Sequence, residues 1–184
     1  MGDEVSERPV RSAVPGDVAA LLGHAGTVVV VPCYGLAVAQ AQHVLRELVE
    51  VLRARGATVV YAVHPVAGRM PGHLNVLLDD AGVPHEQVVE LDDANARLRH
   101  TDVALVVGAD DVVNPAARTT PSAPIFAMPI LEVDRARRVV VLKRSLRAGF
   151  AGVGNELLLA PRTEVLLGDA KDSLTELLAA VRAL

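Results

Sequence analysis

Two cations and a hydroxyl, Lys143, Arg144 and Ser145, close the apolar run "VVVLKRS". Fixed donors at the end of a buried strand suit a phosphomonoester, such as the 2′-phosphate that separates NADP from NAD. The plainer reading is a solvated basic stretch. A second group stands at "VVVVPCYGLAVAQAQ" (28–42), an apolar run passing through one tight turn into a helical pattern. Free N–H groups and a helix dipole at such a turn suit a phosphate, and Gly35 lets the backbone approach one. Cys33 stands where a dinucleotide turn wants its first glycine, so an ordinary strand-to-helix turn is the competing reading.

Three further loops carry polar groups. "HPVAGRMPGH" (64–73) holds Arg69 among small residues, a cation able to clamp an anion by paired donors. His64 takes the strand end where NAD-specific folds place an acid for the ribose hydroxyls. "VVGADDVVNP" places Asp110 and Asp111 after a core strand, where carboxylates cap a loop, bind a metal or contact a ribose or nicotinamide. Asn114–Pro115 is turn chemistry. "LLGDAK" sets Asp169 as the N-cap of the last helix, behind Gly168. The six histidines show no zinc spacing, and Cys33 has no activating His or Lys nearby in sequence.

The elements that must position these groups read clearly. Of 184 residues, 51% are apolar and only 2% aromatic, so the core is aliphatic. A net charge of −4 with interspersed signs argues against a nucleic-acid surface or a polybasic membrane patch. A single cysteine excludes an internal disulfide and fits a reducing compartment. No apolar run reaches the roughly 18–20 residues of a membrane span, and the start has no signal-peptide core. The expectation is therefore a soluble, cytoplasmic chain.

Residues 1–16 read as a polar tail and 17–184 as one domain. Asp17 is expected to cap a first helix. Strands are expected at 27–31, 58–63, 103–108, 139–143 and 164–168, with a short one near 125–127. Helices are expected over 36–55, 74–81, 92–100 and from 169 to the C-terminus. Uniformly Val- and Leu-rich strands alternating with helices predict an α/β fold of the Rossmann-like, doubly wound kind, its mostly parallel sheet covered on both faces. Ligands then belong at the carboxyl ends of the strands.

In this order, "VVVVPCYGLAVAQAQHVLREL", "YAVHPVAGRMPGHLNVLL", "VGADDVVNPAA", "MPILEVDRARRVVVLKRS", "GFAGVGNEL" and "LLGDAK" resemble the NADP(H)-binding domain III of proton-translocating nicotinamide nucleotide transhydrogenase. The resemblance covers the chain from about Asp17 onward. It implies an oxidoreductase component that holds NADP(H) in an orientation flipped relative to ordinary dinucleotide folds. Hydride would pass directly between that nucleotide and NAD(H) on a separate domain I. A membrane domain II, supplied by another chain, would couple the step to proton movement and bring this one to the inner face of the membrane.

By the same resemblance, Cys33, Tyr34, Gly35, Ala37 and Val38 form the turn region and Arg69 contacts the diphosphate. Gly108, Ala109 and Asp110 contact the cofactor, and Asp111 lies near its nicotinamide end, the carboxylate expected to matter most for the reaction. Lys143, Arg144 and Ser145 take the 2′-phosphate. Gly149, Phe150 and Ala151 belong to a lid, and Gly168, Asp169, Ala170 and Lys171 line the adenosine side. The chain departs from the family pattern at Cys33, Asp110, Phe150 and Gly154. Neither a metal nor nucleic acid is expected. The alternative function is a stand-alone NADP(H)-binding or sensor module with no catalytic partner.

Overall fold

Runs of valine build the centre of the molecule. A computed structural model describes residues 9–66 and 72–184. Its strands are β1 (Thr27–Pro32), β2 (Thr58–Ala62), β3 (Val88–Val89), β4 (Val103–Val107), β5 (Arg138–Lys143) and β6 (Thr163–Leu167). All pair in parallel, in the order β3-β2-β1-β4-β5-β6. Side chains alternate across this sheet. Val28, Val30, Val59, Tyr61, Leu105 and Leu142 face one core layer, whereas Val29, Val31, Val60, Val106 and Val141 face the other. Both faces are apolar, which is why the strands read as unbroken hydrophobic runs.

The helices cover those faces. Helices α1 (Pro15–His24), α3 (Gln42–Ala54) and α7 (Ala170–Arg182) pack together on the first layer, whereas α5 (Leu91–Leu98) covers the second. Short helices α2 (Tyr34–Ala39), α4 (His73–Asp80) and α6 (Ala116–Thr119) complete the set. The doubly wound, parallel α/β expectation holds. No described helix is long and apolar enough to cross a membrane.

Several elements differ from expectation. The helix expected over 36–55 is two helices, because Gln40 turns left-handed (φ 52°) and Ala41 N–H bonds back to the Leu36 carbonyl. That is a Schellman-type ending without its usual glycine; Ala41, fully buried, is what the break places in the core. The strand expected near 125–127 is a turn with Ala127 at φ 66°. Its N–H groups go to local bonds instead of a ladder, Phe126 to the Ala123 carbonyl and Ala127 to that of Ala117, and β4 already pairs directly with β5. β3 was not expected; two residues carry too little pattern. Val14, not Asp17, precedes α1, with Pro15 in its first turn. Ser12 bridges Val165, so the stretch read as polar tail runs beside β6 at residues 11–13.

Candidate functional site

The strand order reverses between β1 and β4, which leave their sheet ends in opposite directions and open a crevice at their carboxyl ends. Two joined lobes occupy it. The smaller, about 310 Å³, is lined by Tyr34, Gly35, Val38, Gly108, Ala109, Asp110, Lys143, Arg144, Ser145, Gly149, Gly168, Asp169 and Ala170. The larger, about 980 Å³, is lined by Cys33, Tyr34, Gly108, Asp110, Asp111, Gly149, Phe150 and Ala151. Nearly all the residues singled out from sequence thus come together. Ala37 and Lys171 line neither lobe, and Arg69 lies outside the described residues.

The floor is a crossing of two backbones. Gly35 N–H donates to the Gly108 carbonyl at 3.1 Å, and Cys33 N–H to that of Val107 at 3.0 Å. A Cβ on Gly35 would sit 2.6 Å from Gly108 Cα, and one on Gly108, at φ +68°, 2.4 Å from Gly35 Cα. Gly35 is therefore required by the neighbouring loop. Cys33 lies at φ −146°, ψ −161°, extended backbone open to any L-residue. The missing first glycine costs the turn nothing in backbone conformation. The helix behind this turn is only the six residues of α2, so its dipole is much smaller than that of the long helix expected.

The wall is a stitched loop. Asp111 Oδ2 accepts from the Ala151 N–H at 2.9 Å, and Asn114 Nδ2 donates to the Gly154 carbonyl at 3.2 Å. Asn155 Nδ2 donates to Asp110 Oδ1 at 2.9 Å while its Oδ1 accepts from Leu157 N–H, capping a 3-10 turn (Glu156–Leu159). Gly149 lies so close that a Cβ there would be 2.7 Å from Asp111 Oδ1. That oxygen is buried and has no hydrogen-bond partner among the described residues. Asp111 lines the larger lobe, with Gly149 covering this oxygen. Asn114, which is fully buried, also caps its own turn, accepting from Ala116 N–H at 3.0 Å.

Charge concentrates in the smaller lobe. Lys143 forms an ion pair with Asp110, both side chains only 11% exposed, and its Nζ donates to the Arg147 carbonyl at 2.9 Å. Arg144 and Ser145 are exposed beside it. Asp169 caps α7 as expected, accepting from Lys171 and Asp172 N–H. His64 lines neither lobe. It is 4% exposed, donates Nε2–H to the Pro129 carbonyl and accepts from Val66 N–H at Nδ1, so it fastens two loops together. Among the described residues no cluster of His, Cys, Asp or Glu could hold a metal ion.

Sequence reading missed Asn155 and Arg147. Asparagine after a glycine-rich stretch is a turn signal, but only the tertiary structure shows that it reaches Asp110. Arg147 looked like one more surface arginine, yet it lines the smaller lobe.

The two lobes join a cationic end at Lys143 and Arg144 to a close backbone crossing at Gly35 and Gly108. Solved structures share the fold alone. A protein described as a thiamin diphosphate-dependent enzyme from Mycobacterium smegmatis aligns at TM-score 0.54 and 17% identity, over 96% of this chain and 31% of that one. An exopolyphosphatase-related protein from Bacteroides fragilis aligns at TM-score 0.50 and 14% identity, over 91% of this chain and 43% of its own. Sequence relatives say more. The NAD(P) transhydrogenase subunit beta of Rhodospirillum rubrum, in two matching sequences, is 52% identical over 170 residues. The match covers 92% of this chain but only 37% of that subunit. A family model described as NAD(P) transhydrogenase beta subunit matches residues 1–180, and this chain belongs to that family.

Proposed function

We propose that this chain is the NADP(H)-holding component of an NAD(P) transhydrogenase. It presents the nucleotide for direct hydride exchange with NAD(H) on a separate domain I, and proton translocation is coupled to that exchange where a membrane domain II is present. The observation that carries this reading is the lobe at the end of β5, where Lys143, Arg144 and Ser145 meet the β1–β4 crevice in a chain of this family. The bound nicotinamide supplies the hydride chemistry. This chain's residues bind, orient and cover it.

In this reading Lys143, Arg144 and Ser145 receive the 2′-phosphate, with Asp169 and Ala170 beside the adenosine. Arg69 meets the diphosphate, and the Gly35–Gly108 crossing sets how deep the nucleotide sits. Asp111 lies near the nicotinamide end, and Gly149–Ala151 covers the ring. Exposed Tyr34, Val66 and Phe150 surround the larger lobe and form an apolar rim on which an NAD(H)-binding partner can close and exclude water. The chain works at the cytoplasmic face of a membrane through its partners and contacts no nucleic acid.

Calorimetric titration of the nucleotide-stripped chain with NADPH, NADP⁺, NADH and NAD⁺ tests this. Selective binding of the phosphorylated pair, lost in Lys143→Ala/Arg144→Ala, is expected. Addition of an NAD(H)-binding domain I should then give hydride exchange. Equal affinity for all four nucleotides would refute the assignment.

A further inference from the structure

We propose that Asp110 sets the affinity of the phosphate-binding lobe, acting as an internal carboxylate with which an incoming 2′-phosphate must share Lys143. The inference rests on the function proposed above and adds a residue that lowers, rather than raises, hold on the nucleotide.

The geometry carries it. An ammonium group has three N–H donors. In Lys143 one is given to Asp110 and one to the Arg147 carbonyl, which leaves one for a ligand. At 11% exposure on each side, the pair is shielded from the screening that makes surface ion pairs negligible. Asp110 cannot easily swing aside, because Asn155 grips both its Oδ1 (2.9 Å) and its backbone carbonyl (3.3 Å). Asp110, Lys143, Arg144, Ser145 and Arg147 all line the same lobe. A phosphate entering there meets a lysine already neutralised and a fixed negative charge beside it. Arg144 and Arg147 then carry most of the attraction. A nucleotide without the 2′-phosphate puts no charge against this pair and is indifferent to it.

The test is a double-mutant cycle read by calorimetry on wild type, Asp110→Asn, Lys143→Ala and the double variant. The ligands are NADPH, NADH, 2′-AMP and 5′-AMP. Asp110→Asn is expected to tighten NADPH and 2′-AMP by about fivefold or more and to leave NADH and 5′-AMP within about twofold. Lys143→Ala is expected to weaken NADPH by at least about fivefold more in the Asp110→Asn background than in wild type. A purely structural role for Asp110 would move all four ligands together. Should the Asn variant fail to fold, Asp110→Ser carries the same expectation. Wild-type NADPH binding that is unchanged or weakened by Asp110→Asn overturns this inference and leaves the proposed function standing. Failure of every variant to prefer NADPH over NADH overturns both.

Discussion

The contact between Gly35 and Gly108 yields a prediction with separable parts. Three glycine-to-alanine changes isolate the terms. Gly56 lies at φ +100° with nothing within 4 Å of an added Cβ, so Gly56→Ala reports positive-φ strain alone, about 1–2 kcal/mol. Gly35 lies in α2, and an added Cβ would be 2.6 Å from Gly108 Cα and 3.2 Å from its carbonyl oxygen. Both atoms are backbone and cannot rotate away, so the loops must part, which costs about 1–3 kcal/mol. The higher helix propensity of alanine returns about 1 kcal/mol of that. Gly108 combines both problems, with φ +68° and contacts at 2.4 and 2.7 Å, so Gly108→Ala should cost about 2–5 kcal/mol. Against a typical total of about 5–15 kcal/mol this is a large share. In thermal melts at about 2–4 °C per kcal/mol the expected order of Tm is Gly56→Ala above Gly108→Ala by several degrees. Gly108→Ala should also weaken NADPH binding, which Gly56→Ala should not. A Gly108→Ala protein as stable as Gly56→Ala, with unaltered binding, would show that the crossing is not tight and that the floor of the cleft has been misread.

Further outcomes follow from other contacts. Gly149→Ala, whose new Cβ would lie 2.7 Å from Asp111 Oδ1 and 2.9 Å from Asp110 Cβ, should push the loop outward. If Gly149–Ala151 covers the nucleotide as proposed, stopped-flow release of NADPH should then quicken by about tenfold. Asn155→Ala removes the grip on Asp110 and a 3-10 cap together, so stability to urea should fall by about 1–3 kcal/mol; an unchanged midpoint would sink that account. The Tyr61 hydroxyl is buried without a partner among the described residues, so Tyr61→Phe should be neutral or stabilising at pH 7. Burial, with Glu50 as a smaller cause, raises the Tyr61 pKa far above its ordinary value of 10.0. Above about pH 10 the unfolded chain loses this proton while the folded chain keeps it. Stability should therefore fall with rising pH, by up to about 1.4 kcal/mol per unit, and Tyr61→Phe should flatten that slope in denaturation measured from pH 9 to 11.

How much was legible in the sequence differs between the sheet and the site. Five of the six strands were readable, because a strand buried on both faces needs an apolar residue at every position. Val28–Val31 and Val103–Val107 satisfy that locally, whatever the rest of the chain does. The last helix was equally plain, since Asp169 and the inward leucines 174, 177 and 178 are fixed by spacing alone. The left-handed break at Gln40 was not legible: no glycine or proline marks it, and it is held by the burial of Ala41 against elements distant in sequence.

The site divides along the same physical line. Residue types and their order were enough to nominate Gly35, Lys143, Arg144 and Ser145, since each stands at the end of an apolar run and parallel strands bring such ends to one edge; Tyr34 and Gly168 were added by the family resemblance. What the chain does with them depended on contacts no local pattern carries. Gly35 meets Gly108 across 73 positions, Lys143 is held by Asp110, and Asn155 reaches back over 45 residues to grip that carboxylate. Periodicity and capping are short-range and leave their mark in a window of a few residues. The partner of a buried charge is chosen by the sheet order that sets β4 beside β5, and that choice exists only in the folded chain.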